Sequence, residues 1–221
     1  LFLKSVTDRN AASYRKDIMM TFMELFGRAS GTFRGMQYAD TDGNRPRVDI
    51  HQPCVSLYGT STPLHFYDAL KTGHVVDGFL NRLLVFNVGN HMPPLSRTAT
   101  IDIPQNLIEY CKAVIEYMPT QPVTNGCMDI AHYDVPISPD AQEYLYAYDE
   151  RMRSLMSDSP EDIMGVMWGR AHEHAIKISL VRAIGRDYRA PLVSLDIAEW
   201  GCALVESVSY THLRAHETRH D

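Results

Sequence analysis

Three consecutive hydroxyls and two separate arginines are the side chains of this sequence best suited to phosphate chemistry. Thr60, Ser61 and Thr62 close the apolar run Pro53-Cys54-Val55-Ser56-Leu57-Tyr58-Gly59 and stand directly before Pro63. A hydroxyl donates to a phosphate or a water without adding charge. The same three residues also suit the cap of a helix that starts at Pro63, and the sequence leaves both uses open. Arg82 ends a helical stretch just before a second apolar run. Its guanidinium is planar and permanently charged, and Asp77 offers it an ordinary ion pair instead. Arg170 precedes Glu173 and Lys177, an i, i+4 pair that a surface arginine would extend.

Other candidates are weaker. His172 and His174 lie two apart on a helical stretch, so they face different ways, and Glu173 between them does not complete HExxH. No metal site is therefore expected. His51 and Cys54 have the types of a thiol enzyme, but a catalytic cysteine needs a positioned base and an orienting group. Tyr144, Tyr146 and Tyr148, beside Arg151 and Arg153, have the types of a base-stacking surface; their helical spacing divides them between core and solvent. Cys54, Cys111, Cys127 and Cys202 are scattered without a CxxC pair, as in reduced, buried thiols of a cytosolic protein. The sequence contains no GxxxxGK[ST] loop and no apolar strand ending in an acidic pair. It therefore lacks the residues of a phosphate cradle and a magnesium site.

The elements that position these residues follow from periodicity. Ile18, Phe22, Leu25 and Phe26 mark a helix over 8–29. Gly35 to Ala39 and Arg47 to Ile50 flank the turn-rich residues 40–44 as a hairpin. Residues 53–59 and 83–88 are short apolar runs of the kind that fill a sheet buried on both faces. Helical stretches are expected at 65–70 and 76–82 between them, which gives the strand–helix–strand rhythm of a parallel βαβ unit. Beyond Met92-Pro93-Pro94 the chain reads as helical. One helix spans 104–118, Ser138-Pro139-Asp140 opens a second, Ser159-Pro160 opens a third running to about Gly185, and Ser194 or Asp196 caps a fourth.

The string from Pro53 to Phe86, with LYGTSTP and DGFLNR in that order, resembles a helicase-like domain of uncharacterised function. That domain occurs in phage, prophage and plasmid replication proteins. The stretch Arg170-Ala171-His172-Glu173 through Lys177 and Leu180 is similar to the same family's later R-x-x-E-x-x-x-K helix, and the resemblance covers most of residues 10–207. It implies an α/β fold, part of a P-loop NTPase (RecA- or AAA+-like) with a parallel sheet, followed by a mainly helical C-terminal region. It further implies catalytic roles for Thr60, Ser61 or Thr62 as a sensor orienting the attacking water, and for Arg82 as an arginine finger reaching a neighbouring subunit. Arg170 would bind the nucleotide phosphates as a second sensor. The intact protein would then be a nucleic-acid-dependent ATPase, a helicase or primase–helicase of a mobile element. It would use ATP and Mg2+ and form a homo-oligomeric ring, and this piece alone would be inactive.

Three domains are expected: 1–91 as the rear half of the ATPase core, 92–207 as a helical lid, and 208–221 as a foreign tail. Residues 208–218 are similar to the translated end of a transposase-based sequencing adapter. A leading Leu1 with no apolar leader suggests a chain that starts mid-protein. The net charge of −6 disfavours stand-alone nucleic-acid binding, whose affinity comes from neutralising phosphates. No run of 18 apolar residues exists to cross a membrane, and the protein is expected in the cytoplasm. The rival expectation is a non-catalytic helical adaptor of a phage or plasmid replication protein. An unrelated enzyme using Cys54 and His51 stands third.

Overall fold

Helices built on alternating large and small apolar residues dominate the computed structural model. It describes residues 13–35, 47–62, 66, 78–88, 102–117, 134–158 and 163–217. The chain divides into two units, Leu1–Leu83 and Leu84–Asp221.

In the first unit, α1 (Ser13–Leu25) buries Met19 beside Phe79, with Phe22, Met23 and Leu83 around them. The helix gives way to turns as Phe26 N–H bonds Phe22 and Arg28 N–H bonds Leu25. Two short strands follow, β1 (Thr32–Phe33) and β2 (Ile50–His51). They pair antiparallel, Thr32 opposite His51 and Phe33 opposite Ile50. The Gly31 carbonyl accepts from Gln52 N–H at 2.7 Å and extends this ladder. Gly35 must be glycine here, because a Cβ would collide with the Val48 carbonyl. Gly78, with φ of 86°, turns the chain into a 3-10 turn at Leu80–Arg82, and that φ favours glycine over any L side chain.

The expected α/β fold with a partial P-loop parallel sheet is wrong. Among the described residues the only sheet is the antiparallel β1–β2 pair. Residues 53–59 and 83–88 form no strands; Val55, Leu57 and Tyr58 are 48%, 55% and 91% exposed, and Phe86 and Val88 are exposed as well. The physical reason is that an apolar, β-prone run specifies a strand only where neighbouring backbone completes its ladder. Period and composition report the run's side chains, not the partner. Most of the expected hairpin over 35–50 lies outside the described residues; the pairing observed joins Thr32 and Phe33 to His51 and Ile50. Of the expected helix over 65–70 only residue 66 is described. Residues 36–46, 71–77 and 89–101 also lie outside the described set, as do residues 159–162, expected to open the third helix.

The second unit is helical. α2 (Gln105–Glu116) precedes three longer helices, α3 (Pro139–Asp158), α4 (Ile163–Arg186) and α5 (Leu195–Glu217). α3 begins where its capping residues require. The Ser138 carbonyl accepts from Gln142 N–H, its hydroxyl donates to the Asp140 carboxylate, and Pro139 takes the first position, where a missing N–H costs nothing. Ala141, Leu145, Tyr148 and Met152 then fall on one buried stripe. They meet Trp168, Ala171, Ala175 and Ala183 of α4 and Ile197, Ala198, Cys202 and Val205 of α5. Each large side chain so buried contributes on the order of 1.5–3 kcal/mol. Small residues let α4 and α5 approach closely. A Cβ on Gly201 would strike Ser179 Oγ and lie 3.0 Å from the Ala175 carbonyl oxygen. A single parallel bridge between Ile137 and Val193 sets the entries of α3 and α5 side by side, with Ser138 N–H bonded to the Val193 carbonyl. α5 runs unbroken past Ser207, and Val208 and Ser209 are buried. No helix among the described residues is long and apolar enough to cross a membrane.

Candidate functional site

The expected catalytic hydroxyls end an exposed segment without regular secondary structure. Thr60, Ser61 and Thr62 are all exposed. Ser61 Oγ donates to the Thr62 carbonyl at 3.3 Å, and that carbonyl also accepts from Phe66 N–H at 3.0 Å. Arg82 is half-buried and turned back on its own turn. Its NH1 donates to the Gly78 carbonyl and lies 3.4 Å from Asn81 Oδ1, and its guanidinium carbon sits 5.9 Å from the centre of the Phe26 ring. Asp77, its alternative partner in sequence, lies outside the described residues.

Arg170 belongs to the second unit, on the solvent side of α4. Its NH1 donates to Glu173 Oε2 at 2.7 Å, and Lys177 Nζ meets Glu173 Oε1 at 2.9 Å. The spacing i, i+3, i+7 puts all three on one stripe. Burial pushes the Glu173 carboxyl up, but Lys177 and Arg170 outweigh it and hold the group below its ordinary value. Chemically this is a carboxylate clamp on two cations, open to exchange with another anion.

The remaining candidates separate. His51 Nδ1 lies 3.0 Å from Thr32 Oγ1, and Cys54 is an exposed free thiol. His174 is buried, whereas His172 faces α3, its Nδ1 3.6 Å from Asp149 Oδ1. Tyr148 is buried, Tyr144 half-buried and Tyr146 exposed, so the tyrosines form no common platform. Arg151 pairs with Glu206 and lies over the Tyr148 ring, and Arg153 pairs with Asp149 at 2.6 Å. The modest basic patch expected there is neutralised by its neighbours.

Two clusters escaped the sequence reading. Tyr110 of α2 donates to the carbonyls of Ile184 and Gly185, at 3.0 and 3.1 Å, where α4 ends. Tyr188 stands edge-on to both Tyr110 and Tyr117. The only sequence signal was the i, i+7 pair of tyrosines at 110 and 117. The second cluster is Tyr148 with Cys202. The Tyr148 hydroxyl has no hydrogen-bond partner among the described residues, and burial pushes the Cys202 thiol up to about 12. Such a thiol is protonated and inert.

ATP with Mg2+ is what the resemblance implies for the intact protein, and the groups of this chain that bear on it are few. The sequence holds no GxxxxGK[ST] loop, and Arg82 is engaged on its own turn. Among the described residues no group of three or more His, Cys, Asp or Glu gathers as a metal centre. No family model, curated protein or solved structure matches the chain.

Proposed function

We propose that this chain is a helical interaction module of a phage- or plasmid-type replication protein of the primase–helicase kind. Its partner is the ATPase machinery of that same protein, which it serves without contributing the catalytic arginine. The order LYGTSTP, DGFLNR and R-x-x-E-x-x-x-K supports the parentage. The observation that carries the non-catalytic role is the disposition of Arg82. A guanidinium bonded to the Gly78 carbonyl and set over Phe26 holds its own turn together. An arginine finger must instead project from the surface toward another subunit's phosphates. The module itself has what a scaffold needs, since α3, α4 and α5 close one core from their own residues.

The test extends the reading frame upstream until a P-loop is included and measures nucleic-acid-stimulated ATP turnover. Arg82→Ala should leave kcat within about twofold, because a finger's loss costs about 10³-fold or more. A loss of that size overturns the reading. Deletion of residues 134–207 should abolish assembly measured by analytical ultracentrifugation.

A second reading is favoured by Arg170 alone. Its guanidinium is partly exposed and held by one carboxylate, so a phosphate supplied from elsewhere in the intact protein can compete with Glu173. Arg170→Ala in that protein would then raise KM for ATP at nearly unchanged kcat; an unchanged KM removes this role.

A further inference from the structure

α4 ends at Arg186 with two carbonyls that the chain beyond it does not serve. A helix leaves its final carbonyls without intrahelical partners. Ala183 is served by Asp187 N–H at 3.1 Å. A continuing helix would send Arg189 N–H to the Gly185 carbonyl. That N–H goes to Asp187 Oδ1 at 3.0 Å instead, and Ala190 N–H points to the same carboxylate. The donor comes from α2. The Tyr110 hydroxyl lies 3.0 Å from the Ile184 carbonyl and 3.1 Å from the Gly185 carbonyl, and shares one proton between them.

The same hydroxyl ties α2 down. α2 buries no residue. Tyr110, Ala113 and Val114 share one side by their i, i+3, i+4 spacing and are only half-buried. Tyr188 meets Tyr110 and Tyr117 edge-on, with ring centres 5.6 and 5.2 Å apart. Among the described residues, Tyr110 makes the only hydrogen bonds from α2 to another helix. A segment with so little burial opens at lower free energy than a packed core, and α3, α4 and α5 share such a core. Arg186 lies in the turn that Tyr110 caps. It reaches Ser194 Oγ at 3.3 Å and Asp196 Oδ2 at 2.5 Å, where α5 begins.

We infer that α2 is a clasp: docked through Tyr110 and Tyr188, it caps α4 and steadies the α4–α5 junction, and it opens as a unit while the α3–α4–α5 core stays closed. Opening uncaps Ile184 and Gly185, frays the last turn of α4 and loosens Arg186 from the start of α5. The junction therefore has two states, set by whether α2 is docked.

Amide hydrogen exchange of the full chain, compared with that of Tyr110→Phe, tests the clasp. Phenylalanine keeps the ring against Tyr188 and removes only the hydroxyl. A hydrogen bond of this kind shifts an opening equilibrium about two- to tenfold. The amides of α2 and those of Asp187, Arg189 and Ala190 should exchange faster together by a factor in that range. α3 and the middle of α4 should stay as slow as before, which also establishes that the variant is folded. Tyr117→Phe is the control, since that ring meets Tyr188 without a hydrogen bond at its oxygen; it should leave both segments unchanged. Unprotected α2 amides in the unaltered protein, unchanged exchange in Tyr110→Phe, a response of α2 without the junction, or equal acceleration through α3 and α5 would each overturn the clasp.

Discussion

Tyr148 holds a hydroxyl that the core does not use. The residue is 2% exposed and its oxygen has no hydrogen-bond partner among the described residues, so the folded state carries a desolvation cost that phenylalanine would not. Tyr148→Phe should be neutral or stabilising by up to about 1 kcal/mol in urea unfolding, and a loss above that would reveal an unrecognised partner for the oxygen. Asp196 behaves in the opposite way. Arg186 first and Ser194 second hold its carboxyl well below the ordinary range, with Arg186 NH2 2.5 Å from Oδ2. A depressed folded-state pKa contributes stability that is fully present above the ordinary carboxylate value of about 3.9. That contribution disappears as pH falls through and below that value. Thermal stability should therefore be flat from about pH 7 to 5 in this respect and fall below about pH 4. In Asp196→Asn the acid limb should be shallower.

Among the elements, the crossing of α4 and α5 has no room for added volume at Gly201. Gly201→Ala would drive a methyl into Ser179 Oγ and against the Ala175 carbonyl. Overpacking of this kind costs about 1–3 kcal/mol, measurable as a lowered denaturation midpoint with unchanged slope. Adding Ser179→Ala should recover part of the loss, and no recovery would place the clash elsewhere. The helices of this region were legible in the sequence because their signals are local. Pro139 after Ser138 fixes the start of α3, Ser194 stands directly before α5, and the Leu145–Tyr148–Met152 spacing declares a buried stripe. Residues 53–59 misled for the converse reason. Their apolar, β-prone character is real, but a strand is a relation between two segments, and the sequence of one segment does not contain the other. The Tyr110 anchor was illegible in the same way, since its acceptors lie 74 and 75 residues away.

At the scale of the whole molecule, the chain divides into a helical unit with its own core and a first unit whose described residues include the small Met19–Phe79 cluster and a two-residue antiparallel pair. The candidate site residues divide accordingly: Thr60, Ser61, Thr62 and Arg82 belong to the first unit and Arg170 to the second. Their roles were inferred from motif order, which survives a change of fold, whereas the parallel sheet meant to align the first four did not. An interaction module needs the helical unit alone to be rigid, and stability within a chain is regional. Amide hydrogen exchange of the full chain resolves this segment by segment. A helical module predicts slow exchange in α3, α4 and α5, and unprotected amides through residues 53–59 and 83–88. Protection of those two segments comparable to that of α4 would mean that they are paired strands, and would contradict the helical module at its base.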